Sequence, residues 1–466
     1  MVGNHGTQGA SFSVGLDSLS HALPQILRLE ARGRRGYSSR MSYATVETIA
    51  GVPVVLRPRD EAPGVAAGLF YPAGSRYEEK NEHGAAHFVE HLLFKGTKKR
   101  SCKEISREVE GRGGDLNAYT GEETLCLHGR VPAGHGSELV SLLAEMALES
   151  TFPGDEVERE RGVITEEIRM MDDQPAVVAG EALNALLWPK QALGRPIAGT
   201  IASVGGIPRT GLVGYWQRRI KGVRPVLVIA GGIPAQEAVR TAKKVLARSG
   251  RVKSKDPVRA RRVASRDLCV TVVDKPVAQV NLAIGIYAFG RKDPRRHALR
   301  MLSVILGEAM SSRLFQRLRE EQGLVYSVSS GAHLQRDDGV FYISAGLEPG
   351  NVGKALDLIA EELRELSAKG PGAAELKRAK DYATGQFALG LEGTTQQMFW
   401  LGDAMLTRGR VVEPKEAMEK LAKVDIRAVQ AVAREIFQPG RIRLGAAGPG
   451  LTTEGLTQAA GSLAKL

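Results

Sequence analysis

Cysteine is scarce in this sequence of 466 residues and occurs only as Cys102, Cys126 and Cys269. The number is odd and no two cysteines form a C-x-x-C pair, so the sequence indicates neither a disulfide framework nor a cysteine zinc site. We therefore expect the protein to work in a reducing compartment.

Long hydrophobic runs are also missing. The richest apolar stretches, such as Val226 to Ile233, have the length of a strand and fall short of the roughly 18 residues that a membrane-spanning helix needs. We therefore expect no membrane insertion. With 43% hydrophobic and 25% charged residues, the composition excludes a disordered chain, a collagen-like repeat and a coiled coil, and is typical of a globular protein.

Nucleic-acid-binding signatures are absent as well, although the chain is basic. Lysine and arginine number 64 against 52 acidic residues, which gives a formal charge of +12. Such an excess can attract nucleic acid, anionic lipid or acidic peptides. The sequence has neither an aromatic and glycine RNA-binding pattern nor a basic helix with heptads, so we expect no nucleic-acid partner.

Residues 1–45 are predicted to form a flexible N-terminal extension or leader. The first forty residues contain five arginines and two acids and lack the apolar core of a secretory signal. The stretch Arg35–Ser39 resembles a mitochondrial presequence with its cleavage point. A domain start near Met41 favours instead a disordered extension or a misplaced gene start, and both interpretations stay open.

Internal repetition dominates the organisation of the rest of the chain. The strand-like segment Gly68–Tyr71 recurs as Gly285–Ala288, at an offset of 217 residues. A helix-like segment followed by an apolar strand also occurs twice, at an offset of 216, as Gln217–Ile220 before Val226–Gly232 and as Ala433–Ile436 before Ile442–Gly448. Repetition over half the chain predicts one structural unit used twice.

Both halves mix strand-like and helix-like stretches, and an Arg-, Lys- and Ser-rich segment joins them. We predict an α+β protein in which two homologous α/β sandwich-type domains arose by duplication and form a clamshell. The predicted domains comprise residues 46–250 and 267–466, with a linker at residues 251–266.

The segment from Ala85 to Phe94 is apolar except for three polar side chains, His87, Glu90 and His91. At 100° per residue these three lie within one arc of a helix, and the two histidines are one turn apart. Such a pair can offer imidazole nitrogens to a single zinc ion, while the glutamate between them can take a proton from water. The alternative is a buried cluster that only satisfies its own hydrogen bonds.

A third metal ligand is expected in the helix predicted over residues 155–173. Glu160 and Glu167 lie two turns apart at the edge of its apolar stripe, where surface acids are unusual. This spacing suggests one ligand and one carboxylate that orients a ligand. Border glutamates that simply reach water are the equally common alternative.

Together these segments resemble the pitrilysin-type, or inverted, zinc peptidases, which include the mitochondrial processing peptidase and carry the signature H-x-x-E-H. In that family a glutamate ligand follows the second histidine by 76 positions, and another essential glutamate lies seven positions earlier. Those positions hold Glu167 and Glu160 here. The resemblance implies one zinc ion per chain, bound by His87, His91 and Glu167.

Two further segments carry the resemblance. Gly113–Thr120 looks like the edge strand of the family, and the resemblance implies that Asn117 holds the substrate backbone at the cleaved bond. In the second half, Arg319 and Tyr326 match the arginine and tyrosine that relatives bring to the substrate near the zinc. From the residues alone, Asn117 is interpreted as a turn residue, Arg319 as a surface arginine and Tyr326 as a half-buried tyrosine.

The second half is predicted to keep the fold without the metal. When Gly96 is aligned with Gly307, the residues Ala298, Met301 and Leu302 take the positions of the two histidines and the glutamate of the metal helix. We therefore expect an inactive homologous domain that contributes only substrate-binding residues.

The resemblance implies a zinc-dependent metalloendopeptidase that cleaves unfolded peptides or presequence-like segments. In this mechanism Glu90 accepts a proton from water and returns it to the leaving amine. Peptide substrates would add as a strand to the edge that contains Asn117. The alternative is a non-catalytic scaffold or peptide-binding subunit of the same fold.

One chain carries both the zinc residues and the pair Arg319 and Tyr326, so it is similar to the self-sufficient bacterial branch of the family. That branch implies a homodimer, with a heterodimer containing a related subunit as the alternative. It also favours a bacterial cytoplasm, while the Arg-rich leader keeps the mitochondrial matrix open as a second location.

Overall fold

The computed structural model describes residues 43–247, 249–250, 252, 254–265 and 267–466. Nearly all of the predicted extension at residues 1–45 lies outside these ranges. Residues Ala44–Leu466 form one compact unit. No helix among the described residues combines the length and the apolar character needed to cross a bilayer.

A six-stranded mixed sheet forms the framework of the first half. Its strands follow the order β1-β2-β6-β3-β5-β4, and all neighbours are antiparallel except β2 and β6. The strand bounds are Thr45–Ile49 for β1, Val52–Pro58 for β2, Gly64–Tyr71 for β3, Asp115–Thr120 for β4, Leu125–Pro132 for β5 and Val226–Gly231 for β6. Among the described residues strand β4 pairs with β5 alone, so within this part of the chain its other side is a free sheet edge.

A five-stranded sheet forms the framework of the second half, in the order β7-β11-β8-β10-β9. Its one parallel pair is β7 and β11. The strand bounds are Cys269–Asp274 for β7, Val280–Tyr287 for β8, Val325–Leu334 for β9, Gly339–Leu347 for β10 and Ile442–Gly448 for β11. Without β1, the first sheet has the same order and the same strand directions, which agrees with the predicted duplication.

Fifteen helices surround the sheets in the described part of the chain. Their bounds are Ala85–Leu92 (α1), Cys102–Glu110 (α2), Gly136–Glu149 (α3), Gly154–Asp172 (α4), Pro175–Leu187 (α5), Ile201–Gly206 (α6), Arg209–Trp216 (α7), Ala235–Leu246 (α8), Arg296–Ser303 (α9), Val352–Lys369 (α10), Ala373–Gly390 (α11), Thr394–Arg408 (α12), Pro414–Ala422 (α13), Ile426–Ile436 (α14) and Thr453–Ala459 (α15). The predicted α+β class is therefore confirmed. The predicted domain boundaries stay a prediction.

One helix of each half packs against the sheet of the other half. Helix α5 of the first half lies on β7, β8 and β11, whereas α12 of the second half lies on β2, β3 and β6. The repeated glycines make room for this exchange. A Cβ atom at Gly68 would lie 2.9 Å from the sulfur of Met398 in α12, and one at Gly285 would lie 3.0 Å from the side chain of Leu183 in α5.

Candidate metal centre

Helix α1 presents the three polar residues that the sequence singled out. Its remaining side chains, Ala85, Ala86, Phe88, Val89 and Leu92, are buried in the core of the first half. The predicted helix and its single polar stripe are thus present. The helix packs against α4, against strand β4 and against α7, so its polar stripe is held between structured elements.

Helix α4 brings the two predicted glutamates to that stripe. Val157, Ile164 and Ile168 are buried in the same core, and they fix which face of α4 turns inward. Glu160 on this face is 4% exposed, so it does not reach freely into water. Glu167 lies two turns further along and remains partly exposed. The interpretation of both as surface border residues is therefore wrong for Glu160.

Three potential ligand atoms converge between α1 and α4. Glu167 Oε2 lies 3.8 Å from His87 Nε2 and 3.5 Å from His91 Nε2. One ligand atom from each of these residues lies within 4.8 Å of the other two. Zinc bonds of about 2.0–2.2 Å in a tetrahedral arrangement separate ligand atoms by roughly 3.3–3.6 Å. Two imidazoles and one carboxylate at these distances fit the ligand set of a catalytic zinc site.

Glu160 orients one of the histidines. Its Oε2 atom accepts a hydrogen bond from His91 Nδ1 at 3.1 Å, and this leaves the Nε2 atom facing Glu167. The other oxygen of Glu160 lies 2.6 Å from Lys95 Nζ. Burial raises the pKa of Glu160, but the hydrogen bonds from His91 and Lys95 outweigh it and hold the pKa below its usual range. A carboxylate that fixes the ring of a metal ligand is a common partner in zinc sites.

The two histidines differ in their surroundings. Burial and the charge of His91 lower the pKa of His87 to about 4. Burial also lowers the pKa of His91, but hydrogen bonds to Glu160 and Glu167 outweigh it and raise the pKa to about 9. Among the described residues, the buried Nδ1 atom of His87 has no hydrogen-bond partner. Only His91 is therefore oriented by a second side chain.

Glu90 lies on the same stripe as the potential ligands. Its Oε2 atom is buried and has no hydrogen-bond partner among the described residues. Burial raises the pKa of Glu90, and the nearby hydroxyl of Thr120 on strand β4 partly offsets this. A raised carboxyl pKa brings a proton acceptor closer to neutral pH, where general bases are most effective.

The predicted substrate-binding residues lie on both halves. Asn117 is exposed on the edge strand β4, and its side-chain oxygen accepts a hydrogen bond from the amide of Ala118 at 2.8 Å. In the second half, Arg319 stacks over Phe315, and the hydroxyl of Tyr326 lies 3.3 Å from Glu348. Within the described chain, neither Arg319 nor Tyr326 makes a hydrogen bond or ion pair with the three potential ligands.

Two residues at this site, Lys95 and Thr120, were not predicted from the sequence. Lys95 lies three residues beyond the end of α1, in the turn that follows, so helical spacing within α1 does not predict its contact with Glu160. Thr120 gave no signal of its own, because the contact between β4 and α1 depends on how the helix lies across the sheet.

Comparison with known proteins assigns this chain to a family. Residues 54–201 match the profile of the insulinase family, peptidase family M16, and residues 207–382 match that of the peptidase M16 inactive domain. A relative named as an uncharacterized zinc protease, Rv2782c of Mycobacterium tuberculosis, is 33% identical over 390 residues, which cover 83% of this chain and 89% of the relative. The chain belongs to peptidase family M16. The zinc protease YmxG of Bacillus subtilis is 30% identical and covers 83% of this chain and 94% of its own length.

Several solved structures share the fold. A protease from Helicobacter pylori is 22% identical with a TM-score of 0.81, over 87% of this chain and 99% of its own. A peptidase M16 inactive domain from Pseudomonas fluorescens is 20% identical with a TM-score of 0.80, over 88% and 100%. A chain of Complex III2 from Candida albicans is 16% identical with a TM-score of 0.76, over 89% and 99%. The profiles and the relatives confirm the predicted family, and these structures confirm the two-domain α+β fold.

Proposed function

We propose that this M16 protein is a zinc-dependent metalloendopeptidase that cleaves unfolded peptides or presequence-like segments. The observation that carries the proposal is the convergence of His87, His91 and Glu167 next to a buried carboxyl at Glu90. The names of the bacterial relatives, which are zinc proteases, support a peptidase in general.

The proposed chemistry assigns one role to each residue. His87, His91 and Glu167 would hold the zinc ion, and a bound zinc ion polarises a peptide carbonyl and makes water more acidic. Glu90 accepts the proton of the attacking water on its free Oε2 atom and returns it to the leaving amine. Glu160 keeps the Nε2 atom of His91 directed at the metal position.

Substrate binding is proposed at the free edge of the first sheet. An extended peptide can pair with the unpaired side of β4, where Asn117 would hold its backbone beside α1. Arg319 and Tyr326 of the second half, which contact Phe315 and Glu348, would bind the substrate from the opposite side, and the assembly proposed is a homodimer. A heterodimer with a related subunit is the alternative.

The bacterial relatives support a bacterial source, in keeping with the predicted bacterial cytoplasm.

The test combines metal content with cleavage. We expect one zinc per chain by elemental analysis, and cleavage of a mixed library of unstructured peptides that a chelator abolishes and added zinc restores. The variant Glu90→Gln keeps the ligand set intact, so it should retain zinc while its turnover falls by about 10²–10⁴-fold. Zinc without cleavage in the wild type would favour the scaffold or peptide-binding alternative, and absence of zinc would overturn the proposal.

A further inference from the structure

Helix α1 begins in an unusual way. The residue before it, Gly84, has φ 95°, and a Cβ atom there would lie 2.8 Å from the carbonyl oxygen of Ala198. Helices usually begin with Ser, Thr, Asp or Asn, whose side chains accept hydrogen bonds from the first free amides. That device is not available here, because only glycine fits at this position.

A distant glutamate replaces the missing cap. Both carboxylate oxygens of Glu78 accept the amide of Gly84 at 3.2 Å, and Oε1 also accepts the amide of Ala86 at 3.0 Å. Free amides at a helix start carry a partial positive charge, which favours a carboxylate at this place. Glu78 therefore holds the first turn of α1 from six residues upstream of Gly84.

Burying the carboxyl group of Glu78 at this place costs free energy. Glu78 is 8% exposed, and no lysine, arginine or histidine among the described residues lies within ion-pair distance of it. Burial raises the pKa of Glu78 to about 8, although the amides of Ala86 and Gly84 and the charge of Arg195 favour the ionised form. Burying a carboxyl costs free energy, so an acid at this place calls for a further reason.

The asymmetry between the two histidines supplies that reason. The ring of His91 is oriented by Glu160, whereas the Nδ1 atom of His87 is buried without a hydrogen-bond partner among the described residues. The position of His87 therefore depends on the backbone of the first turn of α1. That turn is the part of the helix that Glu78 holds.

We propose that Glu78 is a positioning residue for the metal site, which fixes the first turn of α1 so that His87 Nε2 faces Glu167. The inference rests on the proposed zinc site and adds to it a residue outside the ligand set. Glu78 acts on His87 through the backbone, as Glu160 acts on His91 through its ring.

The experiment compares Glu78→Gln with the matched control Glu82→Gln. Glu82 is a buried glutamate of the same segment, but its side chain accepts the amide of Glu79 and pairs with Arg218 and makes no contact with the amides of α1. We expect Glu78→Gln to weaken zinc binding by about 10- to 100-fold, as loss of an orienting partner does in other metal sites. The visible absorption spectrum of the cobalt-substituted protein should change in Glu78→Gln and stay as in the wild type in Glu82→Gln.

A double variant separates positioning from general damage. In the background of His87→Ala, the change Glu78→Gln should weaken residual zinc binding no further, because the residue that it positions is gone. If Glu78→Gln does not fold, Glu78→Asp keeps the carboxyl group while withdrawing it by one methylene and should show an intermediate loss. Wild-type zinc affinity and cobalt spectrum in a folded Glu78 variant would overturn the inference. Failure of the wild type to bind zinc would overturn the proposed function itself, before any variant is compared.

Discussion

The two halves of the chain contain an equivalent helix at the same point of the fold. The side chains at three matching positions are polar in the first half and apolar in the second. Helices α1 and α9 each have eight residues and are separated by 211 positions. In α9 the positions of the two histidines and the glutamate are taken by Ala298, Met301 and Leu302, all of which are buried in the core of the second half. The fold thus tolerates either a polar stripe or an apolar one at this place.

A second pair of helices repeats the contrast. Helix α11 contacts α9 as α4 contacts α1. The buried stripe of α4 at Val157, Glu160 and Ile164 corresponds, 219 positions later, to Leu376, Ala379 and Ala383 in α11. The same offset puts Gln386 in place of Glu167. Both carboxylates are absent together with the histidines, and for Glu160 this is expected because a buried acid without a cationic partner is costly.

The strongest test of this comparison is a substitution that makes the first half resemble the second. His91→Ala removes a potential ligand and also the group that Glu160 orients. We expect bound zinc and peptide cleavage to fall together to background, while the fold survives because the helix keeps its apolar face. Metal analysis and circular dichroism of the same sample check this, and a variant that retains stoichiometric zinc would contradict the assigned ligand set.

The corresponding change in the second half should affect stability instead of metal. Leu302→Ala truncates a fully buried side chain at the position equivalent to His91. Such a truncation lowers the free energy of unfolding by about 2–5 kcal/mol. Urea unfolding measures the loss, and elemental analysis should still find the wild-type zinc content. Loss of zinc in this variant would mean that the two halves are more tightly coupled than their separate cores indicate.

The features that could be predicted from the sequence are those whose pattern lies within one short segment. Spacing within one helix was enough for the polar stripe of α1, and the apolar stripe of α4 pointed to Glu160. The assignment of Glu167 needed the resemblance as well. Both duplication offsets appeared in segments that form equivalent strands, β3 with β8 and β6 with β11.

Contacts between distant segments gave no such signal. Glu78 stands in a loop, where an acid is usually a solvated residue, and its contact with α1 exists only because the chain returns at Gly84. The exchange of α5 and α12 between the halves was also invisible. Glycine within a strand indicates that another segment packs closely against the sheet. The sequence pattern does not identify which helix that segment is.

A smaller effect tests the exchanged helices. A Cβ atom at Gly445 in β11 would lie 2.7 Å from the carbonyl oxygen of Ala179 in α5, which is backbone and cannot move away alone. We expect Gly445→Ala to lower the free energy of unfolding by about 1–3 kcal/mol through overpacking. The control is Gly68→Ala in the first half, where the added methyl meets side chains and no backbone, the flexible end of Met398 and the ring of Phe70, and should cost less. Equal losses in denaturant unfolding would show that the two exchanged helices pack equally closely.

The smallest expected effect lies where the hairpins of the two halves meet. His333, near the end of β9, pairs with Glu122 beyond the end of β4, with 3.2 Å between His333 Nε2 and Glu122 Oε1. The hydrogen bond to Glu122 raises the pKa of His333 above its usual 6.5, although burial opposes it. Burial raises the pKa of Glu122, but the hydrogen bond and charge of His333 outweigh it and lower the pKa from 4.5 to about 2.

These shifts define the pH window in which the pair stabilises the fold. The histidine contribution is fully present below pH 6.5 and is lost as pH rises through its raised pKa, while the glutamate contribution is present above pH 4.5 and is lost as pH falls towards 2. The His333 side chain is 51% exposed, so we expect His333→Gln to lower the free energy of unfolding by no more than about 1 kcal/mol, and only inside this window. Denaturant unfolding at about pH 5.5 and about pH 9 measures the difference. A loss of equal size at both pH values would contradict a charged pair and assign the contact to packing, because packing does not depend on the proton that His333 gains.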